Sequence, residues 1–214
     1  MLNAMRLAAA GAEAQTIRQD IIANNLANLN TGAFKRVVPI FKGFPLILAD
    51  KARNASSSVQ LQETYQDRTP GSLIESGNRL DLAIAGEGSF VVENGSGVKS
   101  TRRGDLKIGS DGFLTTGDGC RVLGKDGPIK ISGKKVDFTE KGQVVVDGEE
   151  IETLRMEKFS GTVLSGYLES SNVEMVREMV SMIEATRTYE AALKVVQTAD
   201  ELLGKAVNDL GRLK

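Results

Sequence analysis

The sequence predicts an α+β fold: long N- and C-terminal helices pairing as a coiled coil, with a central antiparallel, hairpin-rich β domain. Three observations predict it. Both ends of the chain place apolar side chains at alternating three- and four-residue steps. The middle instead alternates short runs rich in Val, Ile and Leu with Asn-Gly and Asp-Gly dipeptides. The chain also holds 23 glycines, against about 15 at average usage, and they gather in that middle stretch.

At the N-terminus, dense alanine predicts a helix over 2–29, with Gly11 its weak point. Leu7, Ala10, Ala14, Ile17 and Ile21 lie on one narrow stripe. The stripe runs into Asn24, Asn25, Asn28 and Asn30. Asparagine competes for backbone hydrogen bonds and favours caps and turns, so Thr31-Gly32 closes the helix. Residues 31–78 read as an extended, irregular connector with weak strands. Its apolar part includes Val37, Val38, Ile40 and Phe41 and continues over 44–48, and it turns polar from 51 to 78.

Candidate strands follow at 80–85, 89–93, 98–102, 105–108, 113–116, 121–123, 129–131, 136–138, 143–146 and 151–159. Asn94-Gly95, Asp111-Gly112, Asp118-Gly119, Asp126-Gly127 and Asp147-Gly148 separate many of them. Such dipeptides supply the positive φ of tight hairpins, so the sheet is antiparallel. From 170 to 212 a second, longer helix is predicted, with Ser171 and Glu174 forming a capping box at its start. Met179, Met182, Thr186, Tyr189, Leu193, Val196, Asp200, Leu203, Val207 and Leu210 repeat every 3.5 residues on average. That period marks a coiled-coil seam. The domains are then 1–30 with 170–214 (helical), 31–78 (connector) and 79–169 (β). A helix of about 40 residues extends ~60 Å, beyond a β domain of that size. Part of its seam needs the N-terminal helix or neighbouring subunits as cover.

Composition narrows the function. The chain has 214 residues, net charge −1, one cysteine and no histidine. The balanced charge gives no field that favours nucleic acid or an anionic membrane. Lone Cys120 cannot form an internal disulfide or a Cys-based zinc site. Without histidine the usual general base and the commonest transition-metal ligand are missing. No catalytic residue, metal site or cofactor is expected. No apolar run reaches the ~18 residues of a membrane span, and the N-terminus lacks the basic region of a cleaved signal peptide. Gly86-Glu87-Gly88 lies between strands, which argues against a phosphate loop. The recurring Asp-Gly pairs lack EF-hand spacing and read as turns. Arg102-Arg103 reads as a solvated or interface pair.

Four segments carry a resemblance. They are Ala23-Asn24-Asn25-Leu26-Ala27-Asn28-Leu29-Asn30-Thr31-Gly32-Ala33-Phe34-Lys35, then Leu80-Asp81-Leu82-Ala83-Ile84-Ala85-Gly86-Glu87-Gly88-Ser89-Phe90, then Thr101-Arg102-Arg103-Gly104-Asp105-Leu106 with Asp111-Gly112-Phe113-Leu114. The fourth is Leu168-Glu169-Ser170-Ser171-Asn172-Val173 with Glu178-Met179-Val180-Ser181-Met182-Ile183 and Arg187-Thr188-Tyr189-Glu190. In this order they resemble the flagellar axial proteins, and among them the basal-body rod proteins. One departure stands out. The family usually has glycine directly before the Phe of the first motif, and here Gly32-Ala33-Phe34 shifts it by one, so a different turn is expected. The short stretch between Ile151 and Leu168 favours the proximal-rod type over distal-rod or hook subunits.

The resemblance implies a structural subunit that self-assembles with other rod and hook axial proteins into a hollow, torque-transmitting shaft. It implies passage through the flagellar type III export apparatus without a cleaved signal, and a basal-body location. The terminal helices form the inner tube and the β domain the outer layer. The expected assembly interface comprises Leu7, Ile17, Ile21, Asn24, Asn25, Asn28, Met179, Met182, Tyr189, Leu193, Val196 and Leu203, with the asparagines fixing register. Against this stand a simple Asn-rich helix end and a seam buried wholly within one chain. A secreted adhesin on a helical stalk is the competing function. It calls for an exposed loop of clustered aromatic or charged residues, which the sequence lacks.

Overall fold

A computed structural model describes residues 2–43, 59–95, 97–133 and 135–211. The fold is α+β, with a helix near each end and antiparallel strands between. The apolar stretch 44–48 and the serine run 56–58 lie outside the described residues. None of the described helices is long and apolar enough to cross a membrane. The chain divides into two compact units.

Unit 1 contains α1 (Leu2–Ala27), β1 (Val37–Gly43), β2 (Val59–Gln66) and α2 (Met175–Gly211). The two strands form an antiparallel hairpin with a bulge between Ile40 and Phe41. The two helices run antiparallel: Asn25 of α1 meets Glu178 of α2, and Gln19 meets Thr186. Alanine makes α1 a good helix former and also lets a neighbour approach, and Ala12, Ala14 and Ala185 are buried.

Unit 2 contains β3 (Leu73–Glu75), β4 (Leu82–Asn94), β5 (Gly97–Thr101), β6 (Leu106–Ile108), β7 (Leu114–Thr116), β8 (Arg121–Val122), β9 (Val136–Phe138), β10 (Gln143–Val146), β11 (Glu149–Thr153), β12 (Met156–Ser165) and β13 (Tyr167–Glu169). The main sheet orders β12-β4-β8-β7-β6, with β5 also on β4. A second sheet orders β11-β10-β9, and β13 pairs with β3. All of these ladders are antiparallel. The core is Leu82, Ile84, Phe90, Leu106, Leu114 and Val144 with their neighbours. Cys120 is half-buried at its edge.

Several expectations change. The runs 80–85 and 89–93 form one strand, β4. Gly86, at φ 126°, lets it bend without ending. A Cβ there would sit 2.3 Å from the Ser160 carbonyl oxygen. The run 151–159 is instead split, because Leu154 and Arg155 donate to Gly142 and Leu123. Residues 129–131 form no strand, although Ile129 and Ile131 enter the core. At the β10–β11 turn, Asp147 and Gly148 both take positive φ, 53° and 97°, as a type I′ hairpin requires.

The capping box does not form. The helix starts at Met175, and Ser171 Oγ accepts from the Val173 amide at 3.3 Å. Near the other end, the residue before Phe34 does adopt the left-handed conformation, but Ala33 carries it at φ 56°. Its amide donates to the Glu169 carbonyl at 2.8 Å.

Candidate assembly interface

In unit 1, α2 buries one row along its length. Glu178 and Ala185 are fully buried, while Met182, Tyr189, Ala192, Val196, Ala199 and Leu203 are half-buried. These positions step by four and three residues without a break. From Met182 onward large side chains alternate with alanine, and the alanines let α1 come close. The row read from sequence shares Met182, Tyr189, Val196 and Leu203. Its alternate members fall one residue further on: Met179 and Leu193 are 50% and 37% exposed. The outer side of the first turns of α2 is apolar too, with Met175, Val176, Val180 and Ile183 exposed.

A buried carboxylate opens the row. Glu178 Oε1 accepts from Arg36 Nε at 2.5 Å, and Oε2 accepts from Asn25 Nδ2 at 3.2 Å. Asn25 itself is buried. Its amide also gives Nδ2 to the Val37 carbonyl and takes the Val37 N–H, both at 2.9 Å. It thus pairs with the first residue of β1 as a strand neighbour would. One side chain ties α1 to β1 and to the Glu178 carboxylate of α2. Beside it lies an open cleft of ≈ 260 Å³, lined by Arg18, Ile22, Arg36, Phe41 and Glu178 among others.

Unit 2 holds a second buried carboxylate. Glu169 Oε1 accepts from Lys35 Nζ at 2.5 Å and from the Gly71 amide at 3.1 Å. Its Oε2 accepts from Arg102 Nε at 2.7 Å. The Arg102 guanidinium then donates to the carbonyls of Ile84, Gly86 and Gly88, where β4 bends. Burial alone would push the Glu169 pKa up. The hydrogen bonds from Lys35, Arg102 and Gly71 outweigh it and hold the carboxyl below its ordinary value. Arg102 is therefore not a solvated cation: its side chain is only 13% exposed. Arg103 pairs with Asp105 and Asp118.

All four sequence motifs supply this cluster: Lys35 the first, Ile84, Gly86 and Gly88 the second, Arg102 the third and Glu169 the fourth. Sequence reasoning missed this cluster: Lys35, Arg102 and Glu169 stand among other polar residues in their motifs, and nothing local marks them as buried. Of the twelve residues expected at the interface, Leu7, Asn24, Met179 and Leu193 are exposed. Asn25 is buried, and Ile17, Ile21, Asn28, Met182, Tyr189, Val196 and Leu203 are half-buried.

Residues 5–35 match the profile described as "Flagella basal body rod protein". Residues 83–146 match "Flagellar hook protein FlgE/F/G D1 domain". Residues 164–210 match "Flagellar basal body rod FlgEFG protein C-terminal". The chain is similar to the flagellar basal-body rod protein FlgG of Agrobacterium fabrum, 32% identical over 253 aligned positions that cover 94% of this chain and 97% of the relative. FlgG of Bacillus subtilis is 29% identical, covering 97% of this chain and 99% of that protein. FlgF of Salmonella typhimurium is 29% identical, covering 92% and 94%.

Proposed function

The chain belongs to the flagellar basal-body rod protein family, and from that premise we propose how it builds the rod. It is a structural axial subunit of the basal body. Copies of it assemble with one another and with other axial proteins into a hollow shaft. The observation that carries this reading is the two-sided character of α2. One face is buried in the chain, and the opposite face of its first turns is apolar and open. An apolar helix face of this kind needs cover.

The in-chain helix pair is a coiled coil, with alternating large side chains and alanines as its seam. Exposed Leu7, Asn24, Met179 and Leu193 make contacts to neighbouring subunits. The half-buried helical members, Ile17, Ile21, Met182, Tyr189, Val196 and Leu203, hold the pair together, and Asn25 fixes its register. The subunit is delivered through the flagellar type III export apparatus. It is of the proximal-rod type: between Ile151 and Leu168 only Leu154, Arg155 and Gly166 lie outside strands, which leaves no room for an inserted outer domain.

Leu193→Asp tests the reading by burying an unpaired charge at such a contact. The variant should fold with its β structure intact and fail to enter basal bodies purified from motile cells. Incorporation at wild-type level would remove Leu193 from the interface. Mass spectrometry of the same basal bodies should find the wild-type chain in stoichiometric amount, and its absence would overturn the rod assignment for this subunit.

A further inference from the structure

The outer faces of the two helices in unit 1 carry matching charge patterns. On α1, Arg6, Glu13 and Asp20 are exposed and seven residues apart, and the same row ends in exposed Ala27. On α2, exposed Val180 begins a row of sevens that continues through Arg187, Lys194 and Glu201. A step of seven is two helical turns, about 10.5 Å, on either helix. None of the six charged side chains forms an ion pair among the described residues. At 100° per residue, the α2 row lies opposite the buried row of Ala185, Tyr189 and Ala192, and the α1 row lies opposite Ile22 and Asn25. These charges cannot reach each other within one chain.

Laid antiparallel, the two rows fit at every step. Arg6 meets Glu201, Glu13 meets Lys194, Asp20 meets Arg187 and Ala27 meets Val180. Ile183 then falls beside Ala23 and Asn24, all three exposed. A parallel alignment also pairs Glu13 with Arg187 and Asp20 with Lys194. It then sets Arg6 against Val180 and Ala27 against Glu201, so it satisfies only half of the row.

Resting on the rod reading, we propose that the outer face of α2 in one copy docks antiparallel on the outer face of α1 in the next copy, in this register. The two faces differ, so the contact is heterologous and propagates instead of closing into a dimer. The ladder of charges sets the register, and the apolar turn at Val180 and Ile183 meets small side chains that leave room for it. Like charges brought together at such a contact are strongly unfavourable, which gives the ladder its selectivity.

The test is charge reversal in a flagellated strain deleted for its own copy of the gene. Glu13→Lys with Asp20→Lys, and separately Arg187→Glu with Lys194→Glu, should each lower the number of complete rods by roughly tenfold or more. All four changes together restore the ladder and should recover most rods. Wild-type rod numbers in both double variants would overturn the proposal. Loss in both without recovery in the fourfold variant would also overturn it, and would assign the two faces to different axial proteins. The wild-type chain in the same cells, found in or missing from basal bodies, decides the rod reading separately.

A cysteine pair covers the case in which reversed chains are degraded before assembly. In a Cys120→Ser background, Ala27→Cys and Val180→Cys should give disulfide-linked dimers when the two variants are coexpressed. Failure to crosslink in assembled rods would overturn the register.

Discussion

Glu178 in unit 1 and Glu169 in unit 2 are both buried, but their surroundings treat the charge differently. Glu169 faces two cations and a backbone amide. The excess positive charge is absorbed by three carbonyls around Arg102. Glu178 faces one cation and a neutral amide, and that amide is committed to Val37 as well. Lys35 and Arg36 are neighbours in sequence, yet each serves the carboxylate of its own unit. A buried ion pair adds little net stability when intact, but it is costly to break from one side. The carboxylate with more dependants should therefore be the more costly to remove.

The largest expected effect is Glu169→Ala, which leaves Lys35 and Arg102 without a counter-charge inside unit 2. It should destabilise that unit by about 3–5 kcal/mol, read by urea unfolding of the full chain with a probe in the β structure. Glu178→Ala should cost less, roughly 1.5–3 kcal/mol, because Arg36 can turn toward the open cleft. Equal losses for the two variants would break the comparison. Asn25→Ala should cost about 1–3 kcal/mol by leaving the Val37 N–H and carbonyl unpaired, and it should raise amide exchange at Val37 first.

Acid should weaken unit 2 through Glu169. Glu169 has a depressed pKa in the folded chain. Its contribution is fully present above the unfolded glutamate value of roughly 4.3 and is lost as pH falls through the lower folded value. Unit 2 should weaken over that acidic window, and Glu169→Gln should flatten the dependence. The smallest effect is a gain. Ala33→Gly relieves a left-handed alanine and should stabilise unit 2 by about 1 kcal/mol, visible as a higher midpoint with an unchanged slope.

Much of the fold was legible because turn chemistry is local. Asp147-Gly148 announces its hairpin without reference to anything distant. The buried row of α2 was half legible. Met182, Tyr189, Val196 and Leu203 stand out because they are large and apolar. Their alternates, Ala185, Ala192 and Ala199, carry no such signal, since alanine is equally at home on an exposed face. Met179 and Leu193 look like seam residues for the opposite reason. The two carboxylate clusters were not legible at all. A glutamate reads as a surface residue until its cations are brought to it, and those come from positions far along the chain.

The Glu169 cluster joins positions 134, 98 and 67 residues apart in sequence. Contacts that span so much chain are expensive in loop entropy and form late. A polypeptide emerging from its N-terminus presents Lys35, Gly71 and Arg102 long before the acid that unites them. Until β13 arrives, the bend of β4 is held by an arginine with no anion, and the partial product has every reason to stay open. Unit 2 therefore closes only once its last strand is present, and a chain stopped short of residue 169 should be cut by protease faster than the full chain.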